Sequence, residues 1–392
     1  MSPALIVGAG PAGCAAAIVL ARAGAAPLMV ERSAETGDAI CGGFLSWRTL
    51  DALERLGVTR AALGGAKVDH VRLFHRAAMA QAGLPRAAMG VSRRHLDTLM
   101  QRAAERAGAT LRRGIAVRTV ERGTLRLADG GELRPDALFL ATGKHDLRGM
   151  ARDAAPGPDP TIGLRVRIAA HPALARMIGG AIELHLFDRG YAGLMLHEDG
   201  GGNLCLAVRR SRMRGEGGPA ELLRAIGCEI PALGDRIGFG IGAIDAIANI
   251  PYGWRATLGA PGCFRLGDQA AVIPSLAGEG MGIAIASGTA AADALLRGGA
   301  DAAASWQRDF AATSRRPVRN ARWLRDLAEH DGGARTMLFA TRHLPSSAGL
   351  VANATRIAHA LYQAGRDAGD GMTRGAAGSP RIAARNACDP SR

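Results

Sequence analysis

Lysine is nearly missing from this 392-residue chain: Lys67 and Lys144 are the only two, so the net charge of +14 rests on arginine. The arginines are scattered through every segment among abundant alanine and glycine. A nucleic-acid surface, which gathers its cations on one face, does not fit that distribution. Aromatic residues make up only 4%. The six cysteines, at 14, 41, 205, 228, 263 and 388, form no Cys-x-x-Cys pair and no metal-ligand spacing, which argues against a metal site or a disulfide framework. No apolar run reaches the ~18 residues of a membrane span, and the N-terminus enters a strand at once, without a basic stretch and apolar signal segment. The expectation is a cytoplasmic protein, with peripheral membrane contact left open.

What is present is a 48% hydrophobic chain long enough for two domains, and a dense signal in its first 32 residues. Ala4-Leu5-Ile6-Val7 is a short apolar run of buried-strand type, followed by Gly8-Ala9-Gly10-Pro11-Ala12-Gly13. Cys14 to Ala23 then has a helical apolar pattern closed by Gly24, and Pro27 to Val30 is a second strand ending on Glu31 and Arg32. Each glycine has a job: Gly8 allows the tight turn, Gly10 lets bare backbone approach a pyrophosphate, and Gly13 lets the helix pack on the strand. The phosphates would sit at the positive end of the helix, beside Pro11 and Ala12. Glu31, 18 residues after Gly13, is placed to accept from both hydroxyls of an adenosine ribose.

In chain order, the pattern predicts a helix over Phe44–Leu56 and a hairpin from Val68–His75 and Gly83–Val91. Ser92 caps a helix over Arg93–Ala107, short strands run from Ala109 to Arg134, and Asp136–Gly143 is a buried strand with a small-residue turn. Residues 152–160 read as a linker. Strands at Ile162–Ala169, Ala181–Phe187, Tyr191–Leu196, Asn203–Val208 and Ile237–Ile247 follow, with a helix near Ala220–Ile226. Phe264–Asp268 is a strand ending on an acid, Pro274–Gly282 a glycine-rich loop, Ile283–Leu296 a helix, and Ala302–Gly365 helical, Leu361 included. Dinucleotide-binding segments fall at 1–67, 92–150 and 253–300, and substrate-domain segments at 68–91 and 151–252. C-terminal helices follow at 301–365, then a disordered tail at 366–392.

Four separated motifs carry a family resemblance across roughly residues 4–360: Gly8–Gly13 with Glu31; Ser92-Arg93-Arg94-His95-Leu96-Asp97; Ala141-Thr142-Gly143; and Gly267-Asp268 with Pro274 and Gly278-Glu279-Gly280-Met281-Gly282. The chain resembles the FAD-dependent oxidoreductases that include group A aromatic monooxygenases and geranylgeranyl reductase-like flavoproteins. The resemblance implies an α/β fold: a Rossmann-like FAD-binding domain (GR2-type), an inserted β-sheet substrate domain and a helical C-terminal segment. It implies FAD contacts from Gly8, Gly10, Pro11, Ala12, Gly13, Glu31, Arg32, Cys41, Gly42, Thr142, Gly143, Asp268, Gly278, Gly280 and Met281. The backbone at Val117 is carried over for the adenine. Arg93 is carried over for the phosphates and ribityl chain, with Arg94 as its fallback. Cys41-Gly42-Gly43 is similar to the Cys-Gly element of reductase-like members, although Cys41 is explained as well by a core thiol.

There are departures. Reductase-like members carry Tyr-x-Trp-x-Phe-Pro where this chain has Tyr191-Ala192-Gly193-Leu194-Met195-Leu196, the halogenase Trp-x-Trp-x-Ile-Pro is absent, and Gly278–Gly282 replaces the Gly-Gln-Gly-x-Asn of many hydroxylases. No second glycine fingerprint follows a strand, so the reductant would visit transiently as NAD(P)H or come from a partner protein. The leading expectation is a monooxygenase hydroxylating an aromatic or polyketide-like small molecule through a flavin C4a-hydroperoxide, chemistry that asks little of side chains. The alternatives are an ene-reductase acting on an isoprenoid or lipid alkene, and a redox-neutral cyclase or electron-transfer flavoprotein. No catalytic side chain is assigned. Cys41, Tyr191, Tyr252 and Trp254 are pocket candidates, the last two because Ile250-Pro251-Tyr252-Gly253-Trp254 sits at a domain crossing. Arg165, Arg167, His185 and His197 are explained better as half-buried sheet residues.

Overall fold

The structure is a computed structural model that describes residues 4–357 apart from 122, 155, 156 and 345. The opening apolar run becomes the central strand, Leu5–Val7, of a five-stranded parallel sheet. Its order is Cys263–Arg265, Leu138–Leu140, Leu5–Val7, Leu28–Glu31 and Thr110–Arg113. The run does not alternate because both sheet faces are covered. Ile6, Met29, Phe139 and Phe264 face the helices Pro11–Arg22 and Gly280–Gly298. Leu5, Val7, Val30 and Leu140 face a three-stranded sheet formed by Val117–Glu121, Thr124–Leu127 and Glu132–Leu133. The two helices cross so closely that a Cβ on Gly288 would stand 2.2 Å from the Ala12 carbonyl oxygen.

The second sheet has eight strands, in the order Ile241–Ile250, Thr161–Ile168, Gly202–Arg209, Gly190–Leu196, Ala181–Phe187, Ala66–His75, Ala78–Gly90 and Phe44–Leu45. Only the pairing of Ala181–Phe187 with Ala66–His75 is parallel, which joins the early hairpin to the later meander in one sheet. One face packs on the short helices Pro172–Ile178, Pro219–Glu229 and Pro231–Ile237, burying Leu174, Leu222, Ile226 and Leu233. Burying each such side chain contributes about 1.5–3 kcal/mol. The other face turns toward the first domain and the last helices, Ala302–Ala328, Asp331–His343 and Ser346–Ala354.

The expected architecture is present, with local differences. Phe44–Leu45 is a strand paired with Met89 and Gly90, and the helix spans Trp47–Arg55 because Ser46 Oγ accepts from the Thr49 amide at 3.3 Å. The second sheet therefore reaches back into the 1–67 segment. Ile237 ends a helix that Pro231 opens, and the strand predicted from it begins at Ile241. Gly267, at φ +56°, ends the Cys263–Arg265 strand early and starts a 3₁₀ turn at Gly267–Gln269. The helix after the glycine loop starts at Gly280, three residues before the predicted Ile283. Of the linker, residues 155 and 156 lie outside the described residues, as do Leu361, the end of the predicted C-terminal helices and the 366–392 tail.

Candidate functional site

A cavity of about 510 Å³ begins at Gly10–Ala12, passes Cys41–Gly43 and Arg93, and ends between the second sheet and the last helices. Its inner half is a trough of bare backbone. A Cβ on Gly42, Gly143 or Gly280 would have no heavy atom within 4 Å, and all three residues line the cavity. The fingerprint glycines divide the work: a Cβ on Gly8 would stand 2.4 Å from the Ala141 carbonyl oxygen and one on Gly13 would stand 2.1 Å from that of Gly8. Those two permit packing within the protein. Gly10 faces the cavity, with Arg93 Nη2 as the only neighbour within 4 Å of a built Cβ, at 3.3 Å.

Two helix N-termini converge on this trough. The Pro11–Arg22 helix has Gly10 as its N-cap and the Gly280–Gly298 helix has Glu279; neither has a side-chain cap hydrogen bond or an acid in its first turn. Their positive ends therefore remain available to an anion. Arg93, half-buried at the trough wall, is held by Asp97 through two bonds, Nε–Oδ1 at 2.8 Å and Nη2–Oδ2 at 2.7 Å. Burial works against the charge on Arg93, but the Asp97 carboxylate outweighs it and raises its pKa further. Arg94, the fallback, instead donates its amide to Asp38 at 3.2 Å. Glu31 accepts from the Ala9 amide at 2.9 Å and the Ser33 amide at 3.0 Å, which aims its carboxylate at the mouth of the glycine turn. The backbone at 115–117 runs beside it, since the Ile115 amide donates to the Glu31 carbonyl at 2.9 Å. A glycine-floored trough with two helix N-termini, a guanidinium at one wall and acids at Glu31 and Asp268 fits FAD in chemistry and shape.

The Cys41–Gly43 loop is fixed from the second sheet. Asn203 Nδ2 donates to the carbonyls of Cys41 at 3.0 Å and Gly42 at 2.9 Å, and His197 Nε2 lies 3.3 Å from the Gly42 oxygen. Arg165 donates to the Asp38 and Ala39 carbonyls just upstream. Arg165 and His197 therefore act as struts, and Arg167 bonds His197 Nδ1. His185 is buried against Phe74 and Glu183, away from the cavity.

Farther out the walls turn aliphatic: Leu73, Ile182, Leu184, Met195, Leu206 and Ile250 from the sheet, then Leu324, Leu327 and Met337 from the helices. The polar break is Ser275, whose Oγ lies 2.7 Å from Tyr191 Oη and accepts from Tyr252 Oη at 2.9 Å. The Leu276 amide donates to Tyr191 Oη at 3.1 Å. Burial pushes both phenols up, so each stays protonated at neutral pH. Cys205, also on the wall, is pushed up to about 12 by burial. Trp254 departs from expectation: its indole donates to Asp153 at 2.7 Å and it does not line the cavity. Arg32 lies at the surface against His145, and Thr142 bonds the His145 carbonyl, so neither side chain enters the trough.

Sequence reasoning missed Lys144, Ser275, Asn203 and Arg356. Lys144 follows Ala-Thr-Gly directly, lines the cavity and sits 3.7 Å from Asp268; its rarity as one of two lysines was a usable signal. Buried Arg356 binds the Ala277 and Gly278 carbonyls and the Glu279 carboxylate across 77 residues or more, a link with no local signature. Asp268 lines the trough beside Gly267 and Met281. Asp268→Ala is expected to weaken FAD binding about tenfold to a hundredfold, the range of one charged hydrogen bond; fluorescence titration of the flavin-free protein checks this.

Comparison with known proteins agrees with this geometry. Residues 1–146 match the model of the FAD binding domain. Menaquinone reductase of Mycobacterium tuberculosis is 32% identical over 157 residues, 36% of this chain and 37% of that protein, so the match spans little more than a third of its length. Pseudomonas aeruginosa PqsL in complex with 2-aminobenzoylacetate shares the fold at a TM-score of 0.69 and 20% identity, covering 87% of this chain and all of that one. A flavoprotein/dehydrogenase from Cytophaga hutchinsonii does so at 0.73 and 17%, covering 90% and 92%. Residues 1–146 of this chain are thus similar to the FAD binding domain.

Proposed function

We propose that the protein is an FAD-dependent oxidoreductase that hydroxylates an aromatic or polyketide-like small molecule, with NAD(P)H as a transient reductant. One observation carries the reading: the glycine trough and the aliphatic pocket of the second sheet are one cavity. Bound in the trough and reduced, FAD would supply the two electrons needed for dioxygen to place one oxygen atom on an electron-rich ring and release the other as water. The chain's own residues bind, orient and exclude water. Arg93, Gly10 and the two helix N-termini would hold the phosphates and ribityl chain, Glu31 the ribose, Asp268 a ribityl hydroxyl, and Gly278, Gly280 and Met281 the ring system. Leu73, Ile182, Leu184 and Leu206 keep the outer pocket dry, and the protonated Tyr191–Ser275–Tyr252 cluster orients an oxygen-bearing substrate. No His–carboxylate pair lines the outer half among the described residues, in keeping with chemistry carried by the cofactor.

A second reading, reduction of an isoprenoid or quinone-type double bond, draws on the likeness to the mycobacterial menaquinone reductase and on the aliphatic lining. The experiment that separates them supplies FAD-loaded protein with NADH or NADPH, a panel of phenols and prenylated quinones, and isotopically heavy dioxygen. Hydroxylation is expected to place one heavy oxygen in a phenol product. A product that gains two hydrogens, with or without air, overturns it in favour of reduction.

A further inference from the structure

We propose that the outer mouth of the cavity, where the helices Ala302–Ala328, Asp331–His343 and Ser346–Ala354 meet, docks on an anionic lipid bilayer from which an apolar substrate enters. The inference rests on the reading of the cavity as a pocket for an apolar substrate. Trp323 and Val351 line the outer end and are themselves 65% and 38% exposed. On the second and third of these helices or their ends, Phe339, Leu344 and Leu350 are 65%, 60% and 70% exposed. Exposed apolar side chains are ordinary when scattered; a group of them around a cavity mouth marks a surface that meets another apolar phase.

The charge on this face specifies the phase. Between Phe310 and Arg325 the helix carries exposed Arg315, Arg316, Arg319 and Arg322 and no acid. Arg316 and Arg319 lie seven and four residues before Trp323, so all three share one helix face. Arg342 is exposed at the end of the next helix. Of the acids that flank this stretch, Asp309 and Asp326 are exposed, the latter 3.6 Å from Arg209, whereas Glu329 is engaged with Arg325 and Arg209 and Asp331 with His75, Arg76 and Arg335. Tryptophan with aliphatic residues and a surrounding arginine field is the composition of an interfacial surface on anionic lipid. The lining continues inward from Trp323 through Leu324, Leu327 and Met337 to Tyr252 and Tyr191. A second protein seated here would stop the mouth, whereas a bilayer would feed it.

The test is co-sedimentation of the full-length, FAD-loaded protein with vesicles of phosphatidylcholine containing phosphatidylglycerol, and with phosphatidylcholine alone. Binding is expected to be selective for the anionic vesicles and to weaken as salt rises. Arg316→Gln and Arg319→Gln are each expected to weaken it roughly fivefold, and Phe339→Glu/Leu350→Glu roughly tenfold or more. All three should keep the wild-type flavin-to-protein ratio, which shows that they are folded. Equal binding by wild type and variants, or none by either, overturns the proposal. So does self-association in sedimentation velocity that Phe339→Glu/Leu350→Glu abolishes, because the occupant is then a second copy. Vesicle binding is read without substrate, so its failure is distinguishable from failure of the proposed reaction.

Discussion

Purified Gly10→Val protein is expected to be folded and colourless. The space around the three fingerprint glycines differs as their separate roles require. At Gly8, with φ +106°, and at Gly13 an added Cβ meets backbone carbonyls at 2.4 and 2.1 Å, so a side chain there pushes the strand, turn and helix apart. At Gly10 the φ is −79°, which any residue adopts, and the nearest atom is the far end of the Arg93 side chain at 3.3 Å. A valine there fits the fold and fills the trough where the phosphates approach the helix N-terminus. Each charge-assisted hydrogen bond so lost costs about 1.5–3 kcal/mol, and losing two or more weakens FAD roughly a hundredfold or beyond. The check is the ratio of flavin absorbance to protein absorbance after purification, with thermal denaturation to establish folding. Gly13→Val should fail the second measurement before the first is informative. A yellow Gly10→Val protein with the wild-type ratio would displace the FAD from this trough.

Arg236→Met is expected to give the largest loss of stability, about 3 kcal/mol or more, read as a lowered thermal midpoint. Glu183, with its side chain wholly buried, accepts from Arg236 Nε and Nη2, each at 3.0 Å, and from Arg72 at 3.3 Å. Removing one partner of a buried ion pair leaves the other charge poorly compensated, typically at a cost of about 3–5 kcal/mol; Arg72 holds the estimate to the lower end. Burial pushes Glu183 up, and His185 and Arg236 outweigh it, bringing its pKa from 4.5 down to about 2. A depressed carboxylate pKa stabilises the fold above the unfolded value and loses that contribution on acidification. Stability should therefore fall as pH drops from 4.5 toward about 2, by about 3 kcal/mol. In Arg236→Met this acid limb should flatten. An unchanged midpoint would mean that the pair offsets no net desolvation. Because this pair ties the Ala181–Phe187 strand to the helix behind it, flavin content should change less than stability.

Much of the first domain was legible because its determinants are adjacent in the chain. A strand, a turn of three glycines, a helix and an acid within Ala4–Glu31 are local facts, and the structure builds them as read. Ser92 as a helix cap was readable for the same reason: its Oγ accepts from the His95 amide three residues on. The misread boundaries lie where tertiary pairing or backbone geometry competed with pattern. Phe44–Leu45 suits a helical apolar stripe but is captured by the Met89–Gly90 edge. Ile237 was read as the start of a strand, yet it ends the Pro231–Ile237 helix, which buries Leu233 under the second sheet. Trp254 was placed in the pocket by its neighbours in sequence, and a single bond to Asp153 turns it away.

The sequence by itself determined the dinucleotide-binding frame of strand, glycine turn, helix and acid, since that depends on backbone conformation and spacing over a few residues. Tertiary structure alone decided that trough and pocket are one cavity, that Asn203 and His197 hold the Cys41–Gly43 loop, and that Arg356 closes on the loop at Ala277–Glu279. Those contacts join residues separated by 77 to 162 positions. Nothing in a linear pattern records which distant side chains will share a wall, because the packing of two sheets and three helices sets that distance only once all of them are in place.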